Sequence, residues 1–208
     1  MIRVLLVHEN RLLRSALAAL LGQDSGLEVA TSSWGDAVSE ARSLGPQVCV
    51  VDVDTPVAPG AAHGPESAEL AGLAALSDGS RGPGLLVLAS PGRPGLLRRM
   101  WRARPLGFVN KDAAPDALLG AIRRVAKGER FVDSSLGHDF LRASEIPLTP
   151  RELSVLSLAA EGASVSEIAR SLHLCNGTVR NYMAAITRKT GGRNRVDAIR
   201  ISHGAGWL

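Results

Sequence analysis

The stretch "QVCVVDV", residues 47–53, carries an unbroken apolar run from Val48 to Val51, and "GLLVLAS", residues 84–90, repeats it. A strand with one wet face alternates apolar and polar side chains. A strand that does not alternate is covered on both faces, as the inner strands of a parallel sheet are. Three further strand-like runs stand around this pair: "IRVLLV" (2–7), "GLEVATSS" (26–33) and "LGFVNK" (106–111). Helix-like segments separate them, "RLLRSALAALLG" (11–22), "WGDAVSEARSLG" (34–45), "PESAELAGLAAL" (65–76), "PGLLRRMWRA" (94–103) and "PDALLGAIRRVAKG" (115–128). Five strand–helix units in succession predict an α/β domain over residues 1–127, a doubly wound five-stranded parallel sheet. Ligands of such sheets bind beyond the carboxyl ends of the strands. That edge collects His8, Glu9 and Asn10, then Asp52 and Asp54, Ala89 and Ser90, and Asn110 and Lys111.

The composition bounds what else the chain does. Hydrophobic residues make up 45% but aromatics only 3%, so the cores must be aliphatic. No apolar run approaches the roughly 20 residues of a membrane helix, and the N-terminus lacks a signal-peptide pattern, which predicts a cytoplasmic protein without a membrane partner. Cys49 and Cys175 fall in different elements, and the expectation is two buried free thiols rather than a disulfide or metal pair.

Charge separates the two ends of the chain. Residues 147–208 hold eight Lys/Arg against four acids, while residues 1–146 hold sixteen of each sign. The whole net charge of +4 therefore sits in the last third, which suggests a polyanionic partner there. The stretch 128–146 has no clear periodicity and reads as a linker with one helical turn near 135–141. Then "LTPRELSVLSLAAEG" opens with Thr149 as cap, Pro150 at the first helical position and Glu152 three residues on, the pattern of a capping box. Helices over 164–174 and 175–192 follow, closed by Gly191 and Gly192, with a fourth after Asn194. The second and third make a helix-turn-helix arrangement. On a 3.6-residue period Val179, Tyr182 or Met183, and Ile186 point inward. Arg180, Asn181, Ala184 and Arg188 are left on the outer face, with Lys189 beside them.

Carboxylates from two strands facing a lysine from a third can hold a hard cation and pair with a phosphoryl group. Here the chain resembles a response-regulator receiver domain, of flavodoxin-like fold. The resemblance puts Asp52 of "VVDVDTP" at the phosphoacceptor position and Lys111 of "FVNKD" at the lysine position. It also shows departures. An acidic pair is replaced by His8-Glu9, and Ala89 stands where a Thr or Ser hydroxyl belongs; Ser90, one residue on, faces the other way. A Mg²⁺ site built from Glu9 and Asp52 is therefore weakened or absent, and in receivers the position of Asp54 supplies its backbone carbonyl. Two roles for His8 stand open. Either it only weakens the cation site, or a protonated imidazole replaces the cation by pairing with Glu9 and Asp52.

Residues 148–199 resemble the LuxR-type helix-turn-helix domain, through the opening Leu-Thr-Pro-Arg-Glu, the Ile168-Ala169 pair and Thr178-Val179-Arg180. Together the halves are similar to NarL/FixJ-class response regulators. The resemblance implies that Arg180, Asn181 and Ala184 face base edges, that Thr178 and Arg188 serve the phosphate backbone, that Lys189 belongs to the same DNA-binding set, and that Val196 and Ile199 belong to a dimer surface. A two-fold homodimer implies a pseudo-palindromic duplex operator. The leading reading is a non-enzymatic DNA-binding regulator with an atypical receiver, controlled by a ligand, a partner or expression level. The alternatives are a conventional regulator phosphorylated at Asp52 by a histidine kinase, or a phosphotransfer protein.

Overall fold

The structure, a computed structural model, describes residues 1–53, 65–77, 82–101, 103–143 and 146–208. They form two compact units, one running through the sheet to His138 and the other built on Asp139–Leu208. Asp54 lies outside the described residues.

The first unit is a sheet of β1 (Ile2–Val7), β2 (Leu27–Ser32), β3 (Val48–Asp52), β4 (Gly84–Ala89), β5 (Gly107–Asn110) and β6 (Phe131–Val132), in the order β2-β1-β3-β4-β5-β6. Every neighbouring pair is parallel. The strands are linked by α1 (Arg11–Leu21), α2 (Ala37–Leu44), α3 (Pro65–Ser77), α4 (Pro94–Trp101) and α5 (Pro115–Ala126). Each residue of β3 and β4 is buried, as their unbroken apolar runs require. Val4, Leu6, Val48, Val50, Leu86 and Ile122 have no exposure, and a fully buried aliphatic side chain of this size contributes roughly 1.5–3 kcal/mol.

Register delivers the polar residues to one edge. Val7 pairs with Val51 and Asp52 with Leu88, so His8 follows β1 beside Asp52. Ala89 pairs with Asn110, and the Lys111 N–H donates to the Ala89 carbonyl at 3.1 Å. The order β2-β1-β3 places the reversal of winding between β1 and β3, where doubly wound sheets bind ligands.

Two elements differ from the sequence-based expectation. The sheet has a sixth strand, taken from the stretch read as linker: Phe131 and Val132 pair with Gly107 and Phe108, and a 3₁₀ turn at Ser134–Leu136 and helix α6 (Gly137–Ala143) follow. Two residues are too few to show a period, and the Arg124 guanidinium lies 5.4 Å from the Phe131 ring centroid. The helix read at 34–45 begins as a 3₁₀ turn, Trp34–Asp36, and becomes α-helical at Ala37; Trp34 is buried beneath it.

The second unit holds α7 (Pro150–Ala160), α8 (Val165–Ser171), α9 (Asn176–Thr190) and α10 (Arg195–Gly204) around Val155, Leu156, Ile168, Val179, Ile186 and Ala198. The capping box on α7 forms as its spacing predicts, and a second one joins Ser164 and Glu167 at the start of α8. The α8–α9 turn passes through His173 at φ +53°, and Gly191 at φ +72° closes α9 in the left-handed region that glycine takes without strain. No helix among the described residues is long and apolar enough to cross a membrane.

Candidate functional site

The sheet-edge pocket is built from the ends of β1, β3 and β5. Asp52 ends β3 and is buried, 3% exposed, beside His8, 4% exposed. His8 Nε2 stands 2.7 Å from Asp52 Oδ2, and the Lys111 ammonium pairs with Oδ1. The other ring nitrogen fixes the tautomer. His8 Nδ1 accepts the backbone N–H of Asn10 at 2.9 Å, so the proton of the ring is on Nε2 and is donated to Asp52. Burial lowers the His8 pKa below its ordinary value; Asp52 opposes this, and the charges of Lys111 and Arg14 add to it. The Asn10 bond to Nδ1 and the lowered pKa both favour the neutral ring, of the two roles left open for His8.

The turn into α1 holds His8 in place. Asn10 caps α1 by accepting the N–H groups of Leu12 and Leu13, and Arg14 donates to the His8 carbonyl at 2.8 Å. Trp34 was not legible as a pocket residue. Its indole N–H donates to the Asp52 carbonyl at 3.2 Å, and its backbone N–H approaches the Glu9 carboxylate at 3.4 Å. On the far side the Asn110 amide donates to Ser135 Oγ at 2.8 Å, tying the end of β5 to the turn after β6.

This arrangement does not fit a hard divalent cation. Such an ion wants several oxygen ligands, and here a nitrogen donor and an ammonium hold the two Asp52 oxygens while Glu9 engages Trp34. Among the described residues no three His, Cys, Asp or Glu side chains are grouped so that they could hold a metal ion. Ala89 has no exposure and offers the edge no hydroxyl.

The second constellation is the face of α9. Val179 and Ile186 are fully buried, and Tyr182 and Met183 pack against the same core. Arg180, Asn181, Ala184 and Arg188 are exposed on the opposite face, as the period predicts. The side chains of Arg180 and Arg188 have no hydrogen-bond or ion-pair partner among the described residues. Thr178 is half-buried with its hydroxyl 2.9 Å from Cys175 Sγ. Cys175 itself is exposed in the turn before α9, which corrects the expectation of a buried thiol; Cys49 is buried, and both are free.

Lys189, expected among the DNA-binding residues, also has a partner within the unit. Its ammonium meets Glu152 Oε2 of α7 at 2.7 Å. Other basic residues are also engaged within the unit. Arg195 donates to the Ala159 and Ala163 carbonyls, Arg151 to that of Leu172, and Arg193 and Arg200 both reach Asp197. Val196 is 73% exposed on α10, whereas Ile199 packs partly against the core.

Residues 146–202 match the family of bacterial regulatory proteins of the luxR type. Over 208 residues the chain is 47% identical to the response regulator RamR of Streptomyces coelicolor, covering all of this chain and 98% of that protein. It is 34% identical to the transcriptional regulatory protein DesR of Bacillus subtilis, with the full length of both covered. In fold it is similar to RcsB of Salmonella enterica serovar Typhimurium, solved on a promoter with a phosphomimetic, at a TM-score of 0.63, 21% identity and 98% coverage of each chain.

Proposed function

The chain belongs to the NarL/FixJ class of response regulators with a LuxR-type DNA-binding domain, and on that premise we propose that it is a transcription factor whose receiver works without a phosphoryl group on Asp52. The observation that carries this reading is the hydrogen bond from a neutral His8 to Asp52 Oδ2. Acyl-phosphate chemistry needs a carboxylate oxygen free to attack and cationic charge to meet the incoming oxygens. Here one oxygen is capped by an imidazole N–H and the other by Lys111. The absence of a hydroxyl at Ala89 removes the group that would hold a phosphoryl oxygen and couple it to loop movement. Control then falls to a small ligand at the pocket, a protein partner, or the amount of protein made.

The output is binding of duplex DNA by residues 147–208. Arg180 and Asn181 read base edges, Ala184 meets a thymine methyl, and Arg188 with Thr178 tracks the phosphates. Val196 on α10 is a large apolar side chain left in water, and with Ile199 it supports a two-fold dimer on a pseudo-palindromic operator. A duplex DNA partner sets the place of action in the cytoplasm.

Incubating the full-length protein with a small phosphodonor and Mg²⁺, then measuring phosphate on Asp52 and affinity for a selected duplex, tests this reading. The expected result is no stable phosphoprotein and unchanged affinity. Phosphorylation with a rise in affinity would restore the conventional kinase-driven regulator. Phosphorylation with no change in affinity would favour phosphotransfer as the main role.

A further inference from the structure

We propose that Glu152 and Lys189 form a positioning pair that sets where the recognition helix lies, so that Lys189 governs sequence discrimination without touching DNA. The inference rests on the DNA-binding reading above. Glu152 is buried at the first turn of α7, and Lys189 belongs to the last turn of α9, 37 residues along the chain. One oxygen, Glu152 Oε2, accepts both the Thr149 N–H at 2.7 Å, closing the capping box, and the Lys189 ammonium at 2.7 Å. The pair thus fastens the start of α7 to the end of α9.

The apolar contacts of α9 leave this job undone. Val179 and Ile186 decide which face of the helix turns inward, but apolar attraction is non-directional and tolerates small slides along the axis. A charge-assisted hydrogen bond to a buried, backbone-anchored carboxylate is directional. Burial pushes the Glu152 carboxyl up, yet the bonds from Lys189 and Thr149 outweigh it and hold the group below its ordinary range, so it stays charged at neutral pH. Arg180 and Asn181 lie on the same helix as Lys189, two turns or more toward its start. Paired contacts to a base edge need donor and acceptor in place together. A shift of α9 therefore costs discrimination first, whereas attraction to phosphates, which depends on charge and distance, is spared.

The test uses full-length protein and two duplexes, one selected by the wild type from a randomised pool and one unselected. Affinity for both is measured across a salt series for wild type, Glu152→Gln, Lys189→Gln and the double variant. Glu152→Gln keeps an acceptor for the Thr149 N–H and removes only the charge that holds Lys189. The expected result is that each single variant loses about tenfold in preference for the selected duplex, with the salt slope unchanged, and that the double variant loses no more than either alone. A merely destabilised protein loses active fraction for both duplexes alike, and its preference stays put. A fall of about one in the salt slope for Lys189→Gln, with Glu152→Gln as selective as wild type, makes Lys189 a phosphate contact and overturns the proposal. Unchanged preference in both variants also overturns it. If the wild type itself yields no preferred duplex, the DNA-binding reading falls, and the positioning pair with it.

Discussion

The sheet edge and the outer face of α9 treat their polar groups in opposite ways. At the edge His8, Asp52, Lys111, Glu9 and Trp34 are engaged with one another, in a space that excludes water from Asp52. On α9 the side chains of Arg180 and Arg188 stand exposed with no partner among the described residues. A cationic face kept open is suited to a large polyanion that supplies its own oxygens. A carboxylate already paired on both oxygens is poorly suited to accept a new covalent group. The contrast also refines the charge argument: five of the eight basic residues in 147–208 have side-chain partners within the unit, three of them a carboxylate and two a backbone carbonyl.

The comparison breaks most easily through the core under the open face. Ile186→Ala should cost about 2–5 kcal/mol of stability, since Ile186 has no exposure and its neighbours close only partly over the gap. Denaturant unfolding of the full chain, followed for the second unit, measures it; a loss well under 1 kcal/mol would mean that α9 is not held by this core. In the closed pocket, His8→Asp exchanges a donor for a second carboxylate against Asp52. In a chelator we expect a loss of about 1–3 kcal/mol in thermal or urea unfolding, from the lost hydrogen bond and like-charge repulsion. The same variant should bind Mg²⁺ at least about tenfold more tightly than wild type by calorimetry. Equal Mg²⁺ affinity in the two proteins would show an ordinary receiver site.

Arg180→Ala or Asn181→Ala should lose about 1–3 kcal/mol of discrimination between selected and unselected duplexes. Unchanged preference in both would assign specificity elsewhere. On the proposal that the receiver works without a phosphoryl group, Asp52→Asn should shift DNA affinity by less than tenfold, about 1.4 kcal/mol. A larger drop in a gel or anisotropy titration points back to a working phosphorylation switch. The smallest effect is on pH. The folded protein holds the His8 pKa below 6.5, so the unfolded chain takes up the proton first as pH falls. Stability is therefore fully present above 6.5 and declines as pH drops from there toward the folded value, and His8→Gln should flatten that part of the wild-type pH–stability curve. A curve equally steep in the variant would assign the slope to another group.

How much of this was legible depended on distance along the chain. β3 and β4 announce themselves because burial on both faces leaves no room for alternation, and the α7 cap is readable because its two partners lie three residues apart. The outer face of α9 follows from helical period alone. The pairing of Lys189 with Glu152 has no local signature, because the two residues lie 37 apart in the chain. β6 is two residues among charged neighbours. The charge state of His8 was undecidable from composition, because it turns on one backbone N–H, that of Asn10, aimed at Nδ1. Trp34 gave no signal either, being one aromatic in a polar stretch whose role appears only when β1 and β3 stand side by side.

Trp34 also makes the pocket observable by light. Of the three tryptophans, Trp101 is 52% exposed and Trp207 half-buried, whereas Trp34 is 2% exposed with its indole N–H on the Asp52 carbonyl. An indole in so dry a setting emits at shorter wavelength than one in water, and its emission is sensitive to the loss of that single hydrogen bond. The difference spectrum between wild type and Trp34→Phe isolates this emission. Whatever occupies or reshapes the edge beside Asp52 then reports itself as a change of colour, without a label attached to the protein.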